Sequence, residues 1–117
     1  CLVGDGGMLM TGMELATAVQ YGLAPVILVV NNSLYGTIRL HQERRYPGRP
    51  MGSDLVNPDF VTMARSFGAF ARRVERTADF APALAAAFAS GRAALIEIVT
   101  APEDLLPGLA LSSLAAG

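Results

Sequence analysis

The chain has 117 residues, of which 52% are hydrophobic and 16% are charged, and its formal net charge is −1. This length suits one domain with a substantial core, and the composition argues against an intrinsically disordered chain. A charge so close to neutral gives no electrostatic reason to expect nucleic acid binding, and no apolar run reaches the roughly 18 residues of a membrane span. The single cysteine, Cys1, cannot form an internal disulfide, so we expect a cytoplasmic protein. From its charge and apolar runs we expect neither nucleic acid nor membrane partners.

The first predicted element is a short strand that ends in a glycine-rich turn. Leu2-Val3 is apolar, and Gly4-Asp5-Gly6-Gly7 follows it, where a strand would pass into a helix. Apolar residues at helical spacing predict one helix from Met8 to Gly22, and Pro25 prevents its continuation. Methionines at such spacing belong to the core more often than to a cofactor slot, and this expectation covers Met8, Met10 and Met13.

A second strand follows at Val26 to Val30. This β-branched run is too short for a helix and is typical of a strand buried on both faces. A strand–helix–strand unit joins parallel strands, whose carboxyl ends lie at the same edge of the sheet. Asp5 and Asn32 therefore belong near each other at the edge where open α/β sheets bind ligands.

The residue types at this edge indicate a particular chemistry. Glycines let a phosphate approach the backbone, and N–H groups at the start of a helix attract it. Asp5 and Asn32 offer one charged and one neutral hard oxygen, which suits Mg²⁺ better than zinc or copper. Asp5 alone could be an ordinary turn aspartate, but its pairing with Asn31-Asn32 after a buried strand favours a magnesium-diphosphate site.

The remaining elements alternate between helices and strands. We expect a helix from Gly36 to Tyr46, a loop from Pro47 to Asn57, a helix capped by Asn57 and ending at Phe67, a strand from Ala69 to Val74, a helix capped by Thr77 or Asp79 and ending at Ser90, and a strand from Ala93 to Val99. This order predicts the α/β class: three αβα layers with a mostly parallel, doubly wound sheet. We divide the chain into a domain at 1–100 and a C-terminal tail at 101–117.

Two features after the second strand have more than one interpretation. The arginines of the third helix and the loop after it could face a phosphate or a substrate, or could form a solvated face: Arg39, Arg44, Arg45 and Arg49. His41 could transfer protons near neutral pH, although a lone histidine is more often structural.

A G-D-G sequence followed by N-N closely resembles the thiamine diphosphate motif of the superfamily that includes pyruvate oxidase, decarboxylases and acetolactate synthase. Three stretches carry the resemblance: Gly4-Asp5-Gly6-Gly7-Met8-Leu9-Met10, Glu14-Leu15-Ala16-Thr17-Ala18 and Asn31-Asn32-Ser33-Leu34-Tyr35-Gly36-Thr37. It covers nearly the whole chain and identifies the fold as the family's diphosphate-binding domain, without its first elements. It implies thiamine diphosphate and Mg²⁺ as cofactors.

The resemblance also implies roles for individual residues. The Mg²⁺ ligands would be the side chains of Asp5 and Asn32 and the backbone carbonyl of Leu34. The cofactor-binding residues would be Gly4, Asp5, Gly6, Gly7, Asn32, Leu34, Tyr35, Gly36 and Thr37, although Tyr35 could equally pack against the protein. Gly7 stands where the family usually has a serine, so one hydroxyl contact is missing. The family's activating glutamate comes from another domain, so Glu14 is expected in helix packing or an interface.

For the intact protein, the resemblance implies an enzyme of 2-oxo acids, either a decarboxylase or a carboligase. Its active site would also need a pyrimidine-binding domain from the same or a neighbouring subunit, in a homodimer or homotetramer. We therefore expect this chain to be a C-terminal part that is inactive alone. His41 stands where acetolactate synthases have a bulky aromatic residue, which puts acetolactate specificity in doubt. The loop from Pro47 and the segment from Glu103 to Pro107 are expected near the cofactor channel, with a disordered terminus as the alternative for the latter.

Two other functional classes remain as alternatives. The first is a Rossmann-like phosphate- or dinucleotide-binding module. Its G-x-G-x-x-G motif is incomplete here, because Leu9 stands where the third glycine would follow Gly4 and Gly6, and no Walker lysine is present. The second is a degenerate homologue without catalysis, which would be expected to have lost a metal ligand. Asp5 and Asn32 are both present.

Overall fold

The structure is a computed structural model that describes residues 1–106 and 108–114. Its elements in chain order are β1 (Leu2–Gly4), α1 (Asp5–Thr11), α2 (Glu14–Gln20), β2 (Val26–Asn31), α3 (Gly36–Arg45), α4 (Phe60–Ser66), β3 (Phe70–Val74), α5 (Thr77–Ala89), β4 (Ala94–Val99), the short strands β5 (Asp104–Leu106) and β6 (Leu109–Ala110), and a 3₁₀ turn at Leu111–Ser113.

Four of the strands form one parallel sheet in the order β1-β2-β4-β3. The pairing places Gly4 beside Val30 and Asn31 beside Val99, so β1, β2 and β4 end close to one edge. The strand at 26–30 was predicted correctly and extends by one residue to Asn31. The predicted α/β class with a mostly parallel sheet is confirmed.

Helices cover both faces of this sheet. On one face, α1, α2 and α4 pack against Val29 and Leu95, chiefly through Met8, Leu15, Ala18, Phe60 and Ala64. On the other face, α5 packs against Ala94 and Ile96 through Ala83 and Ala87. Neighbouring residues of β4 thus serve opposite cores, as the period of two in a strand requires. The three-layer αβα arrangement follows.

The single helix predicted from Met8 to Gly22 is wrong. The helix begins at Asp5 and is interrupted at Gly12 and Met13, where the N–H groups of Leu15 and Ala16 bond to carbonyls three residues back, at 3.1 and 3.0 Å. Such 3₁₀-type bonds tighten the chain and redirect the second half. As a result Met8 lies in the core while Met10 and Met13 are exposed, which corrects the expectation for those two residues.

Two helix caps also differ from prediction. The cap of α4 is Asp59, whose carboxylate accepts the N–H of Thr62 at 2.9 Å, and Asn57 lies outside the helix. Neither Thr77 nor Asp79 caps α5, since its N-cap residue is Arg76 without a side-chain cap. The predicted stops at Gly68 and Gly91 are confirmed: both have φ in the left-handed region, +89° and +64°.

Part of the tail is ordered against the domain. Strands β5 and β6 pair antiparallel, and the N–H of Leu111 bonds to the carbonyl of Glu103 at 2.8 Å. The Leu105 side chain lies 3.7 Å from where a Cβ on Gly36 would be, so the tail contacts the start of α3, while its position relative to a cofactor stays a prediction. Pro107 lies outside the described residues, and the boundary at 100 stays a prediction.

Among the described residues, no helix combines the length and the apolar character needed to cross a membrane.

Candidate functional site

The candidate site lies where β1 and β2 end. These strands are parallel neighbours, and Asp5 and Asn32 follow them at the same edge of the sheet. Asp5 is the first residue of α1, directly after Gly4, and Asn31-Asn32 leads from β2 into the turn before α3. The structure thus brings together the two loops that the sequence motif joined.

A cavity of about 250 Å³ opens between these two loops. Its lining contains every predicted cofactor-binding residue except Asn32, together with one further residue, Ile38: Gly4, Asp5, Gly6, Gly7, Leu34, Tyr35, Gly36, Thr37 and Ile38. Asn32 borders the cavity, because its Nδ2 lies 3.5 Å from where a Cβ on Gly36 would be.

Asp5 is the charged group of this cavity, and its side chain is buried, with only 2% of the residue exposed. Its Oδ1 accepts the N–H of Gly6 at 3.0 Å, and its Oδ2 accepts the amide of Asn57 at 2.8 Å. Among the described residues no basic group forms an ion pair with it. A carboxylate can accept about four hydrogen bonds, so capacity remains for a cation. A buried carboxylate without a positive partner is rare in proteins unless it binds something.

The two glycines after Asp5 are required by close contacts. A Cβ on Gly6 would lie 2.5 Å from Cε1 of Tyr35, and a Cβ on Gly7 would lie 2.8 Å from Cγ2 of Val3. The Tyr35 ring therefore packs over the Gly6 backbone, which supports the packing interpretation of this residue. The crowding by Val3 gives a physical reason for glycine, instead of serine, at position 7.

The turn after β2 is held by its own asparagines. Ser33 has φ of +57°, which is uncommon outside glycine. The side chain of Asn31 accepts the N–H of Ser33 at 3.1 Å, and that of Asn32 accepts the N–H of Leu34 at 3.2 Å. These two bonds stabilise the strained turn and fix the backbone of Leu34, the predicted carbonyl ligand.

Part of the predicted loop Pro47–Asn57 packs on this turn. The carbonyl of Ser53 accepts the N–H of Tyr35 at 2.8 Å, and the N–H of Leu55 bonds to the carbonyl of Ser33 at 2.9 Å. The Leu55 side chain lies 3.5 Å from where a Cβ on Gly6 would be, so the loop packs against the Gly6 backbone.

The arginine-rich segment divides into paired and exposed residues. Arg39 contacts Glu43 and Asp54 at 3.0 Å each, which favours a structural role over phosphate binding. A hydrogen bond from the Gly48 N–H, assisted by Arg39, lowers the pKa of the Glu43 carboxyl. The remaining arginines of this segment and its histidine are exposed: Arg44, Arg45, Arg49 and His41.

Glu14 is also exposed and accepts the Thr17 hydroxyl at 3.0 Å, so its expected helix packing is not found.

Asn57 is the site residue that sequence reasoning missed. Its Nδ2 donates to Asp5 and to Oδ1 of Asn31, the latter at 2.9 Å, instead of capping α4. A signal was available: Asp59 lies three residues before Thr62 and can cap the helix itself, which leaves Asn57 free for another partner.

The chain of hydrogen bonds continues from Asn31 to a second buried carboxylate. Asn31 Nδ2 donates to Glu97 at 2.7 Å, and Arg73 Nε donates to the other oxygen of Glu97 at 2.8 Å. The hydrogen bond and the charge of Glu97 raise the pKa of the Arg73 guanidinium.

The donor set at the cavity fits a hard divalent cation. The described residues contain no group of three or more His, Cys, Asp or Glu side chains suited to a metal. The predicted set is of another kind, with one carboxylate, one amide oxygen and one backbone carbonyl, and Mg²⁺ commonly accepts such a partial set beside phosphate oxygens and water. The buried, unpaired Asp5 agrees with that set, while the coordinating roles of Asp5, Asn32 and Leu34 stay predictions.

The parallel α/β fold, with a glycine-lined cavity at the carboxyl edge of its sheet, is typical of phosphate-binding domains. Residues 1–98 match the family described as the thiamine pyrophosphate enzyme, C-terminal TPP binding domain. The chain belongs to this family, whose cofactor is thiamine diphosphate with Mg²⁺.

Similar proteins with known names are acetolactate synthases. The chain is 44% identical over 70 residues to the large subunit of Parasynechococcus marenigrum (strain WH8102), covering 58% of this chain and 11% of that protein. It is 35% identical over 107 residues to the probable large subunit of Methanocaldococcus jannaschii, covering 91% and 18%.

A solved structure with the same fold is the thiamine diphosphate-dependent 4-hydroxybenzoylformate decarboxylase of Rhodococcus jostii RHA1. The TM-score is 0.80 at 33% identity, and the match covers 86% of this chain and 19% of that one. The chain therefore spans less than a fifth of each of these three proteins.

Proposed function

We propose that the full-length protein is a thiamine diphosphate- and Mg²⁺-dependent enzyme of 2-oxo acids, an acetolactate synthase-like carboligase or a decarboxylase. This chain would bind the diphosphate end of the cofactor. One observation carries the proposal: the buried Asp5 carboxylate, without a basic partner among the described residues, faces a cavity lined by glycines at the carboxyl edge of the sheet.

Each side of the cavity has a distinct task in this proposal. Asp5 and Asn32, with the Leu34 carbonyl, would hold the cation, because they present a charged and two neutral hard oxygens. The backbone of Gly6 and Gly7, in the first turn of α1, would contact a phosphate. On the opposite side, Gly36 and Thr37 would contact the same diphosphate.

When bound, thiamine diphosphate supplies the carbanion chemistry that breaks or forms the bond beside a 2-oxo group. The residues of this chain would orient it and exclude water, with Leu55 and Tyr35 packed over Gly6. We assign no catalytic residue here. The activating glutamate would come from the pyrimidine-binding domain of the same or a neighbouring subunit in a cytoplasmic homodimer or homotetramer.

The two kinds of relatives support two reactions. Acetolactate synthases make acetolactate, as their name states, whereas the Rhodococcus relative is a decarboxylase. His41 is exposed on α3 of this chain and would be free to contact another domain or a substrate. We therefore propose 2-oxo acids as the substrate class for either reaction.

The test uses the full-length protein. Thiamine diphosphate is titrated calorimetrically with Mg²⁺ and with a chelator, and carbon dioxide release is measured with pyruvate, benzoylformate and glyoxylate. We expect tight binding only with Mg²⁺, and turnover of at least one acid. Binding of NAD in place of thiamine diphosphate, or no cofactor binding at all, would contradict the proposal.

A further inference from the structure

We propose that Asn57 is a positioning residue for the cation-binding carboxylate of Asp5. The inference rests on the proposed function, since it concerns the same cavity. Asn57 lies 52 positions from Asp5 in the chain, at the end of the loop that packs on the turn after β2, and its Nδ2 donates to Asp5 Oδ2 at 2.8 Å.

The amide of Asn57 can have only one orientation. Its Nδ2 lies between two acceptors, Oδ2 of Asp5 at 2.8 Å and Oδ1 of Asn31 at 2.9 Å. An amide has two N–H donors, so both bonds can form at once. The flipped amide would place an acceptor against two acceptors, one of them charged. The hydrogen-bond partners therefore determine the assignment of oxygen and nitrogen.

This orientation leaves the other end of the amide unsatisfied. Oδ1 of Asn57 is buried and has no hydrogen-bond partner among the described residues. A buried acceptor without a partner destabilises the fold, and an apolar side chain of similar shape would avoid that penalty. A residue that served only packing would gain from being apolar. We therefore attribute the asparagine at this position to its two N–H donors, and in particular to the bond with Asp5.

The far end of the hydrogen-bond chain keeps Asn57 in place. Arg73 pairs with the buried Glu97 at 2.8 Å, and Glu97 accepts the Asn31 amide at 2.7 Å. Asn31 Oδ1 is thereby turned toward Asn57. The position of the Asp5 carboxylate is thus coupled through two asparagines to an ion pair formed by β3 and β4.

Without the Asn57 amide, Asp5 keeps a single described donor, the N–H of Gly6. The carboxylate could then rotate, and its second oxygen would no longer be directed by a partner. Groups that orient a metal ligand typically contribute about 10–100-fold to metal affinity. We therefore expect Asn57→Leu, an apolar variant of similar size, to weaken Mg²⁺ binding by about this factor.

A matched control is available in Gln42. Its amide also anchors the loop, donating to the Met51 carbonyl at 2.7 Å and accepting the Met51 N–H at 3.3 Å, without a described contact to Asp5. Gln42→Met removes both bonds at similar volume. It tests whether loosening the loop alone changes cation binding.

The experiment measures Mg²⁺ affinity by calorimetry at saturating thiamine diphosphate, and thermal unfolding without cofactor, on full-length wild type, Asn57→Leu, Asn57→Gln and Gln42→Met. We expect weaker Mg²⁺ binding by Asn57→Leu, a partial recovery by Asn57→Gln because it keeps the amide, and wild-type affinity for Gln42→Met with a lower melting temperature. If Asn57→Leu does not fold, Asn57→Ala removes the same donors with a smaller side chain.

Mg²⁺ affinity equal to wild type in the Asn57 variants would overturn the inference, whatever their melting temperatures. So would an equal loss of affinity in Gln42→Met, since the effect would then come from the loop. Failure of the wild-type protein to bind thiamine diphosphate is a different result, because it overturns the proposed function itself.

Discussion

Asp5 and Glu97 are both buried carboxylates, 2% and 1% exposed, and the amides of Asn57 and Asn31 connect them. They differ in their charged partners. Glu97 pairs with Arg73 at 2.8 Å, whereas no basic group pairs with Asp5 anywhere in residues 1–106 and 108–114. The two carboxylates are equally buried but differ in pairing, so Glu97 stabilises the fold and Asp5 is available to a ligand.

Physical chemistry explains the contrast. Burying a charge is costly, and a salt bridge with hydrogen bonds offsets that cost within the protein. Glu97 obtains this compensation when the chain folds. Asp5 has two neutral donors only, so full compensation requires a cation from outside. Two features therefore identify the site: the lack of a basic partner for Asp5 among the described residues, and the lining of the cavity around it.

The largest effect is expected for Asp5→Asn in the full-length protein. The change removes the charge and keeps the shape, so the divalent cation loses its anionic ligand. Mg²⁺ affinity should fall by more than about 100-fold, since even outer-shell changes cost about 10–100-fold. Calorimetric titration of Mg²⁺ at saturating thiamine diphosphate measures this loss. Unfolding without cofactor should show little change in stability, because removal of the buried charge offsets the loss of one hydrogen bond, from Gly6 or from Asn57, that the new amide nitrogen cannot accept. A strongly destabilised apo protein with unchanged Mg²⁺ affinity would contradict the comparison.

For Glu97→Gln we expect the main effect on the stability of the apo protein. The new amide N–H would face the Arg73 guanidinium, and the ion pair would be lost. We expect destabilisation of about 1–3 kcal/mol, limited because the Arg73 side chain is 42% exposed and can be solvated. Denaturant unfolding of the apo protein measures this free energy. Stability equal to wild type would show that Glu97 is not the structural member of the pair.

Gly6→Ala tests the packing around Asp5. A Cβ there would collide with the Tyr35 ring at 2.5 Å, so the ring or the α1 backbone must move. Overpacking of this kind typically costs about 1–2 kcal/mol. The control is Gly4→Ala, where nothing lies within 4 Å of the new Cβ. Thermal unfolding of both variants should show a lower melting temperature for Gly6→Ala alone, and equal melting temperatures would disprove the close contact.

The smallest effect concerns Asp59, an exposed carboxylate. The Thr62 N–H, with help from Arg73, lowers its pKa below the ordinary value of 3.8. A carboxyl whose pKa is lower in the folded state stabilises the fold above its unfolded pKa, and this contribution is lost as the pH falls through the folded value. Asp59→Asn keeps a helix-capping group. Unfolding measured between pH 6 and about pH 2 should show a slightly shallower acid decline for the variant; identical pH profiles would contradict this assignment.

Much of the fold followed from local patterns. The β-branched run at 26–30 predicted a parallel strand buried on both faces. The structure has the parallel strand, but of its residues only Val29 is buried and the others are half-buried. The helix break at Gly12 and Met13 was missed, because the apolar spacing continues through it and only the tight i−3 hydrogen bonds reveal the change of direction.

The site was predictable where it depends on motif residues and not where it depends on distant contacts. Gly4 to Gly7 and Leu34 to Thr37 line one cavity, as the motif predicted. No local signal joins Asn57 to Asp5, since 52 positions separate them and Asn57-Pro58 has the appearance of a helix start. The partner of Glu97 was equally inaccessible, because the pairing of β3 with β4 sets it.

The most direct test of the cation site is a crystal structure of the full-length protein with thiamine diphosphate and Mn²⁺ in place of Mg²⁺. Anomalous scattering locates the metal without assumptions about its ligands. We expect one peak beside the diphosphate, coordinated by the Asp5 carboxylate, the Asn32 amide oxygen and the Leu34 carbonyl. A bound cofactor whose metal does not contact Asp5 would contradict this expectation.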